Sequence, residues 1–102
     1  MYFRERGYEP LHQNWRHGHC ELDLVATKDA VIHFIEVKTR RSLHFGHPEE
    51  SVSEKKMENL MKAAEAYLEK YPNWEQVQYD ILSITMIEGK PIEYFLIEDV
   101  YL

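Results

Sequence analysis

Residues 30–39 read AVIHFIEVKT, a run rich in β-branched and aromatic residues that also carries an acid and a lysine near its end. This composition predicts a strand that is apolar on both faces. Because side chains alternate along a strand, Ile32, Phe34, Glu36 and Lys38 are expected on one face. The run therefore places two charged groups, Glu36 and Lys38, on a face that is otherwise apolar.

A second strand is predicted directly before this run. Residues 20–27 read CELDLVAT and alternate in polarity, which predicts Leu22, Leu24 and Ala26 on one face of a strand. A short turn separates the two runs, so a β-hairpin centred on Asp29–Ala30 is the natural arrangement.

The hairpin register brings charged residues together. With that centre, Asp23 lies opposite Glu36, and Glu21 lies opposite Lys38. Facing Cβ atoms in such a pair are only about 4.5–5.5 Å apart, and like charges at that position destabilise a sheet. A divalent cation would reverse the effect, because Mg²⁺ accepts carboxylate oxygens, a backbone carbonyl and water. A strand edge with solvated alternating charges remains the alternative at this point.

The remaining pattern predicts a short series of elements around the hairpin. Residues 1–6 predict one helical turn that ends at Gly7, and residues 8–16, 77–87 and 92–98 predict three further strands. The order predicts a single α/β domain over residues 1–102, with a mixed sheet of about five strands flanked by helices.

A helix is predicted over residues 51–71, with Ser51 and Glu54 at the spacing of a capping box and Pro72 as its stop. Apolar residues recur at three- and four-residue steps and predict one buried stripe. The residues of that stripe are Met57, Leu60, Met61, Ala64, Leu68 and Tyr71.

Composition limits the function classes. The net charge of −6 argues against a general nucleic-acid coat, although basic side chains cluster between Lys38 and Lys56. One cysteine excludes an intrachain disulfide framework and suits a reducing compartment. No apolar run reaches the length that spans a membrane, so we expect a cytoplasmic protein with no membrane partner.

The two strands together resemble a known signature. The segments ELDLVA (21–26) and FIEVKTR (34–40) resemble the D…(D/E)-x-K motif of the PD-(D/E)XK nuclease superfamily, which has a restriction-endonuclease-like fold. More narrowly, the chain is similar to the bacterial YraN-type family, which is itself similar to archaeal Holliday-junction resolvases. Residues 7–8, 14–16 and 79–82 match that family's pattern as well.

The resemblance implies a function for individual residues. It implies Asp23 and Glu36 as metal ligands together with the backbone carbonyl of Val37, and Lys38 as the catalytic lysine. The implied cofactor is Mg²⁺ or Mn²⁺, and the implied reaction is phosphodiester hydrolysis of DNA, including branched DNA, by a homodimer. The candidate contacts to nucleic acid are Arg16, Arg40, Arg41, Lys55 and Lys56.

The chain departs from the family pattern at two places. The family has a longer N-terminal helix that carries a glutamate without counterpart here, and Cys20 stands where a glycine is usual. The missing glutamate and the negative net charge favour a second hypothesis. A catalytically inactive module that binds nucleic acid or protein on a nuclease scaffold is therefore the alternative. A subunit of a larger assembly is a third, and it predicts an exposed apolar strand at residues 92–98. A zinc site at His17, His19 and Cys20 has spacing too compact for most structural sites.

Overall fold

A computed structural model of the chain describes residues 2–41 and 54–100, without the side chain of Glu54. The elements are α1 (Tyr2–Glu5), β1 (Glu9–His17), β2 (Cys20–Lys28), β3 (Val31–Arg40), α2 (Glu54–Lys70), β4 (Gln76–Thr85) and β5 (Glu93–Ile97). Among the described residues, no helix is long and apolar enough to cross a membrane.

The hairpin of β2 and β3 has the predicted register. Lys28 pairs with Val31 and Leu24 pairs with Ile35, so the turn consists of Asp29 and Ala30. Both turn residues have positive φ, 52° and 66°. Such a two-residue turn matches the right-handed twist of the flanking strands, and it holds the pairing in register.

The described strands form one five-stranded sheet in the order β1-β2-β3-β4-β5. Three of the four pairings are antiparallel, and β3 pairs with β4 in parallel. A parallel pair needs a crossover connection, and α2 provides it. The mixed sheet with its helices confirms the predicted α/β, restriction-endonuclease-like fold.

Helix α2 covers one face of the sheet. Its buried residues are Met57, Leu60, Ala63, Ala64 and Tyr67. The predicted stripe was therefore correct in its main line but missed Ala63 and Tyr67, and Met61, Leu68 and Tyr71 are only half-buried at its margin. The predicted capping residue Ser51 lies outside the described residues.

A second, smaller core lies on the opposite face of the sheet. The short helix α1 buries Phe3 there, and Gly7 follows with φ of 88°, as expected for a glycine that ends a helix. Phe3 packs with Leu24, Ile35 and Leu82. Much of this face remains open as a cleft of about 480 Å³ beside α1.

The predicted face of β2 was wrong in part. Leu22 packs in the α2 core, whereas Leu24 and Ala26 pack in the α1 core. The change of face occurs at Asp23, between the pairs that β2 forms with β1, where Asn14 adopts φ of 51°. Strict alternation fails because the two strands bend together at this point.

Candidate metal and nucleic-acid site

The candidate site lies where β2 and β3 separate. Backbone pairing between these strands ends at Leu24 and Ile35. Beyond that pair, Oδ2 of Asp23 accepts a hydrogen bond from the backbone N–H of Val37 at 2.9 Å. The Asp23 side chain therefore points toward β3, and it also lines the cleft on the α1 face of the sheet.

The carboxyl groups of Asp23 and Glu36 are in contact, as the hairpin register predicts. Burial raises the pKa of Glu36 to about 7, and the charge of Asp23 adds to the rise. Lys56 and Lys38 act in the opposite direction, and a hydrogen bond to the Asp23 carboxyl favours the protonated form of Glu36. Two acids thus share a partly buried position that a proton or a cation stabilises.

The backbone of Val37 adds a third oxygen to this position. The N–H and C=O of a strand residue point toward the same neighbouring strand. Because the Val37 N–H is directed at Asp23, its carbonyl is directed into the same gap. Two carboxylates and one carbonyl are all oxygen donors, the set that Mg²⁺ and Mn²⁺ prefer over softer metals.

The described part of the chain offers few protein ligands for a metal at this position. Residues 2–41 and 54–100 contain no cluster of three or more His, Cys, Asp or Glu side chains. Mg²⁺ commonly keeps several waters and is held by one or two carboxylates plus phosphate oxygens, so the donor set fits an ion that also binds a substrate phosphate.

Two lysines border the acid pair. Lys38 lies on β3 two residues after Glu36, and Lys56 reaches the same position from the first turn of α2. A hydrogen bond to Lys56 lowers the pKa of the Lys38 ammonium, with burial as the second cause. The site therefore presents two ammonium groups beside two carboxyl groups.

Lys56 was predicted only as a contact to nucleic acid, and its place beside Lys38 was missed. The helical repeat could have predicted this place, because Lys56 stands four residues before the buried Leu60 and directly before the buried Met57. It therefore lies at the margin of the stripe that faces the sheet. Lys55 and Lys56 are both exposed, but only Lys56 interacts with Glu36 and Lys38.

The extended hairpin register predicts Glu21 opposite Lys38, but the structure does not place it there. It pairs with Arg16 across β1 instead, and Glu21 Oε2 lies 2.9 Å from Arg16 Nε. The reason is the separation of β2 from β3, which is complete before Glu21 is reached.

The remaining basic residues differ in accessibility. The Arg16 side chain is 75% exposed despite its ion pair, and Arg41 is also exposed. Arg40 is buried to 7% exposure at the end of β3, where its carbonyl accepts a hydrogen bond from the Met86 N–H at 2.7 Å. Exposed guanidinium groups suit a contact to a phosphate backbone better than a buried one.

Ser83 is a further buried polar residue near the site. It is the register partner of Lys38 on β4 and is fully buried. Within the described residues its Oγ has no hydrogen-bond partner. The strand pattern does not predict an unbonded hydroxyl here. A serine among Ile81, Leu82 and Ile84 fits a core strand whether or not its hydroxyl has a hydrogen-bond partner.

A second acid cluster lies on the same sheet and has a different character. The fully buried Asp80 places Oδ2 2.7 Å from Nδ1 of His33, and its Oδ1 accepts hydrogen bonds from Gln78 Nε2 and the Asp99 N–H, each at 2.9 Å. The ring of Tyr8 meets His33 edge-on at 5.0 Å. The sequence alone did not identify these partners of Asp80.

Comparison with known proteins gives the family. The pattern of the uncharacterised protein family UPF0102 matches residues 1–84. The chain belongs to the UPF0102 family. This confirms the predicted YraN-type resemblance, since the matched region contains both strands of the motif and helix α2.

Relatives in this family are similar over most of the chain. A UPF0102 protein of Syntrophomonas wolfei is 47% identical over 91 residues, which covers 88% of this chain and 79% of the relative. One from Chloroherpeton thalassium is 36% identical over 98% of this chain and 84% of its own length. One from Bacteroides thetaiotaomicron is 41% identical over 81% and 69%.

Proposed function

We propose that this UPF0102 protein is a metal-dependent endonuclease that hydrolyses phosphodiester bonds in DNA, including branched DNA such as Holliday junctions. The observation that carries the proposal is the contact between the Asp23 and Glu36 carboxyl groups at the separation of β2 and β3, with two lysines beside them. An acid pair without a cation destabilises the fold, so its presence favours a ligand-binding role.

Each residue of the site has a distinct part in this reaction. Asp23, Glu36 and the Val37 carbonyl would hold Mg²⁺ or Mn²⁺, and the Val37 N–H fixes the orientation of Asp23 independently of the ion. Such an ion, when bound, polarises the scissile phosphate and lowers the pKa of a bound water. The Lys38 ammonium would orient the attacking water or stabilise the charge that develops on phosphorus.

The exposed basic side chains would position the nucleic acid. Arg16 and Arg41 are exposed, and Lys56 lies beside the acid pair. Contacts of this kind supply sequence-independent affinity, which an acidic chain of net charge −6 needs near its active site.

The second candidate is a binding module without catalysis on the same scaffold. The small number of protein ligands supports it, since the described residues supply two carboxylates and no third. Such a module would bind DNA with little dependence on Mg²⁺, whereas the nuclease requires the ion for cleavage.

Calorimetric titration with Mg²⁺ and Mn²⁺ tests the metal site. We expect binding in the wild type and its loss in Asp23→Asn. Asp29→Asn is the matched control, because it makes the same chemical change in the turn of the same hairpin, where asparagine is well tolerated. A wild type that releases no binding heat up to about 10 mM metal would contradict the proposal.

Cleavage assays then separate the two candidates. A labelled four-way junction and a linear duplex of the same sequence are incubated with the protein and Mg²⁺. We expect cleavage by the wild type and loss of cleavage, with metal binding retained, in Lys38→Gln. Binding of the junction without any cleavage, despite a bound metal, would assign the chain to the binding module.

A further inference from the structure

The two edges of the sheet differ in their protection against pairing with another strand. Edge strand β1 contains Pro10, which lacks an N–H, an irregularity between Pro10 and His12, and Asn14 with φ of 51°. These features interrupt a regular ladder, and natural sheets use them to prevent edge-to-edge association.

Edge strand β5 lacks such protection in the described chain. It forms five regular residues paired with β4 on one side, and no described strand lies on its other side. Ile92, Tyr94 and Phe95 leave 49%, 49% and 51% of their surface exposed. Unpaired backbone groups next to exposed apolar side chains are the usual sign of an interaction edge.

The apolar surface lies on both faces of this edge. Phe95 is the register partner of Ser83, on the face that α2 covers, and Tyr94 is the partner of Ile84, on the face of α1. The Tyr94 ring stacks on Tyr2 with a centroid distance of 4.9 Å, which holds it at the edge. A partner strand would therefore contact apolar groups above and below the sheet.

We propose that β5 pairs antiparallel with β5 of a second copy of this chain, about a two-fold axis perpendicular to the sheet, and that the two sheets become one. This inference does not rest on the proposed nuclease activity. Such an axis keeps both α2 helices on the same face, because a rotation about the sheet normal does not exchange the faces. Directly opposed residues must then share a face, as they do in any antiparallel pair.

The side chains of β5 favour one register. Centred on Tyr94, the pairing sets Tyr94 against its copy and Ile92 against Leu96 of the second copy. The basic end at Lys90 then adjoins the acidic end at Glu98, twice by symmetry. Glu93 lies opposite Phe95 and keeps its carboxylate in solvent.

Centring the pairing on Phe95 instead sets Ile92 against Glu98, an apolar group against an acid. That register also sets Glu93 against Ile97, whereas the Tyr94 register has a single acid–apolar pairing, Glu93 with Phe95. The Tyr94 register is therefore the better match. A contact of this size is small among protein interfaces, so we expect a dissociation constant on the order of 10 µM.

Sedimentation equilibrium of the whole chain, without metal or DNA, tests the dimer. We expect concentration-dependent dimerisation, and at least a tenfold weaker dimer in Phe95→Lys. Leu11→Lys is the matched control, because Leu11 is the exposed apolar residue of the other edge, and it should leave the dimer unchanged. A chain that stays monomeric up to about 300 µM would overturn the proposal and leave the edge to a strand of another protein.

Cysteine cross-linking tests the register and does not depend on the folding of Phe95→Lys. In a Cys20→Ser background, Tyr94→Cys should form a disulfide-linked dimer on mild oxidation, because the two sulfurs face each other across the axis. Glu9→Cys, on the β1 edge, should not. Cross-linking through Glu9→Cys but not Tyr94→Cys would overturn the assignment to β5. Metal binding that is retained in Phe95→Lys would show that the metal site does not depend on the β5 dimer.

Discussion

Strand β3 has an acid on each side, and the two acids have opposite environments. Asp80 on β4 is fully buried and contacts His33, Gln78 and a backbone N–H, so its oxygens are well supplied with polar partners. Asp23 on β2 receives the Val37 N–H but also contacts the carboxyl of Glu36.

The difference separates a structural acid from a functional one. A buried acid that is surrounded by donors holds elements together, and its removal leaves those donors without a partner. Two acids in contact weaken the fold unless something positive joins them. Substitution should therefore destabilise the protein at Asp80 and stabilise it at the acid pair, although both positions carry carboxylates.

The largest expected effect is at Asp80. Asp80→Ala should lower the free energy of unfolding by about 3 kcal/mol or more, because His33, Gln78 and the Asp99 N–H lose their common partner inside the core. Urea unfolding followed by circular dichroism measures the loss.

The matched control for this change is Asp99→Asn. Asp99 contacts Asp80 through its backbone N–H, which asparagine retains, and asparagine tolerates the φ of 57° at this position. We expect a change below about 0.5 kcal/mol. Equal losses in both variants would mean that Asp80 has no special structural role.

Metal should stabilise the wild type through the acid pair. At about one hundred times its dissociation constant, Mg²⁺ should add about 2.7 kcal/mol to the free energy of unfolding, since it binds the folded state. Thermal unfolding with and without Mg²⁺ measures the shift, which Asp23→Asn should abolish and Asp29→Asn should retain. An equal Mg²⁺ shift in Asp23→Asn would place the ion elsewhere.

The effect of Glu36→Gln should depend on pH. Because the pKa of Glu36 is raised to about 7 in the fold, mainly by burial, the group favours the folded state at low pH. That contribution declines as the pH rises from 4.5, the ordinary pKa of a glutamate, toward 7. Without metal, Glu36→Gln should therefore raise Tm by roughly 2–4 °C near pH 8 and change it little near pH 4.

The exposed Glu58→Gln on α2 is the control for this titration, and its effect on Tm should be small at both pH values. A Glu36→Gln variant that is less stable than the wild type near pH 8 would show that the acid pair is satisfied in the metal-free protein, as Asp80 is.

The smallest expected effect is at Ser83. Its buried Oγ has no hydrogen-bond partner among the described residues, so Ser83→Ala should change the free energy of unfolding by less than about 0.5 kcal/mol, or raise it slightly. Chemical unfolding measures this. A loss above about 1 kcal/mol would reveal that the hydroxyl is as well bonded as Asp80.

The local sequence pattern was sufficient to predict the hairpin and the acid pair. The apolar run of β3, the alternation of β2 and the short turn at Asp29–Ala30 together predicted the register that sets Asp23 beside Glu36. These are contacts between residues close in sequence, and the two-residue period of a strand determines which of them can meet.

Patterning failed where a contact depends on how distant elements are arranged. Lys56 comes beside Lys38 only because α2 crosses the sheet between β3 and β4, and His33 meets Asp80 only because these strands are parallel neighbours. The bend at Asp23 also escaped prediction, because a change of face depends on the partner strand β1 and the unusual φ of Asn14.

The sequence by itself determined the strands, the long helix, the hairpin register and the identity of the acid pair, because each follows from spacing within a short segment. The tertiary structure decided which acid is satisfied and which is not. That distinction depends on the donors that other strands and the C-terminal segment bring to each carboxylate. It also decided that β5, and not β1, is the regular edge, because the irregularity between Pro10 and His12 and the positive φ of Asn14 interrupt β1.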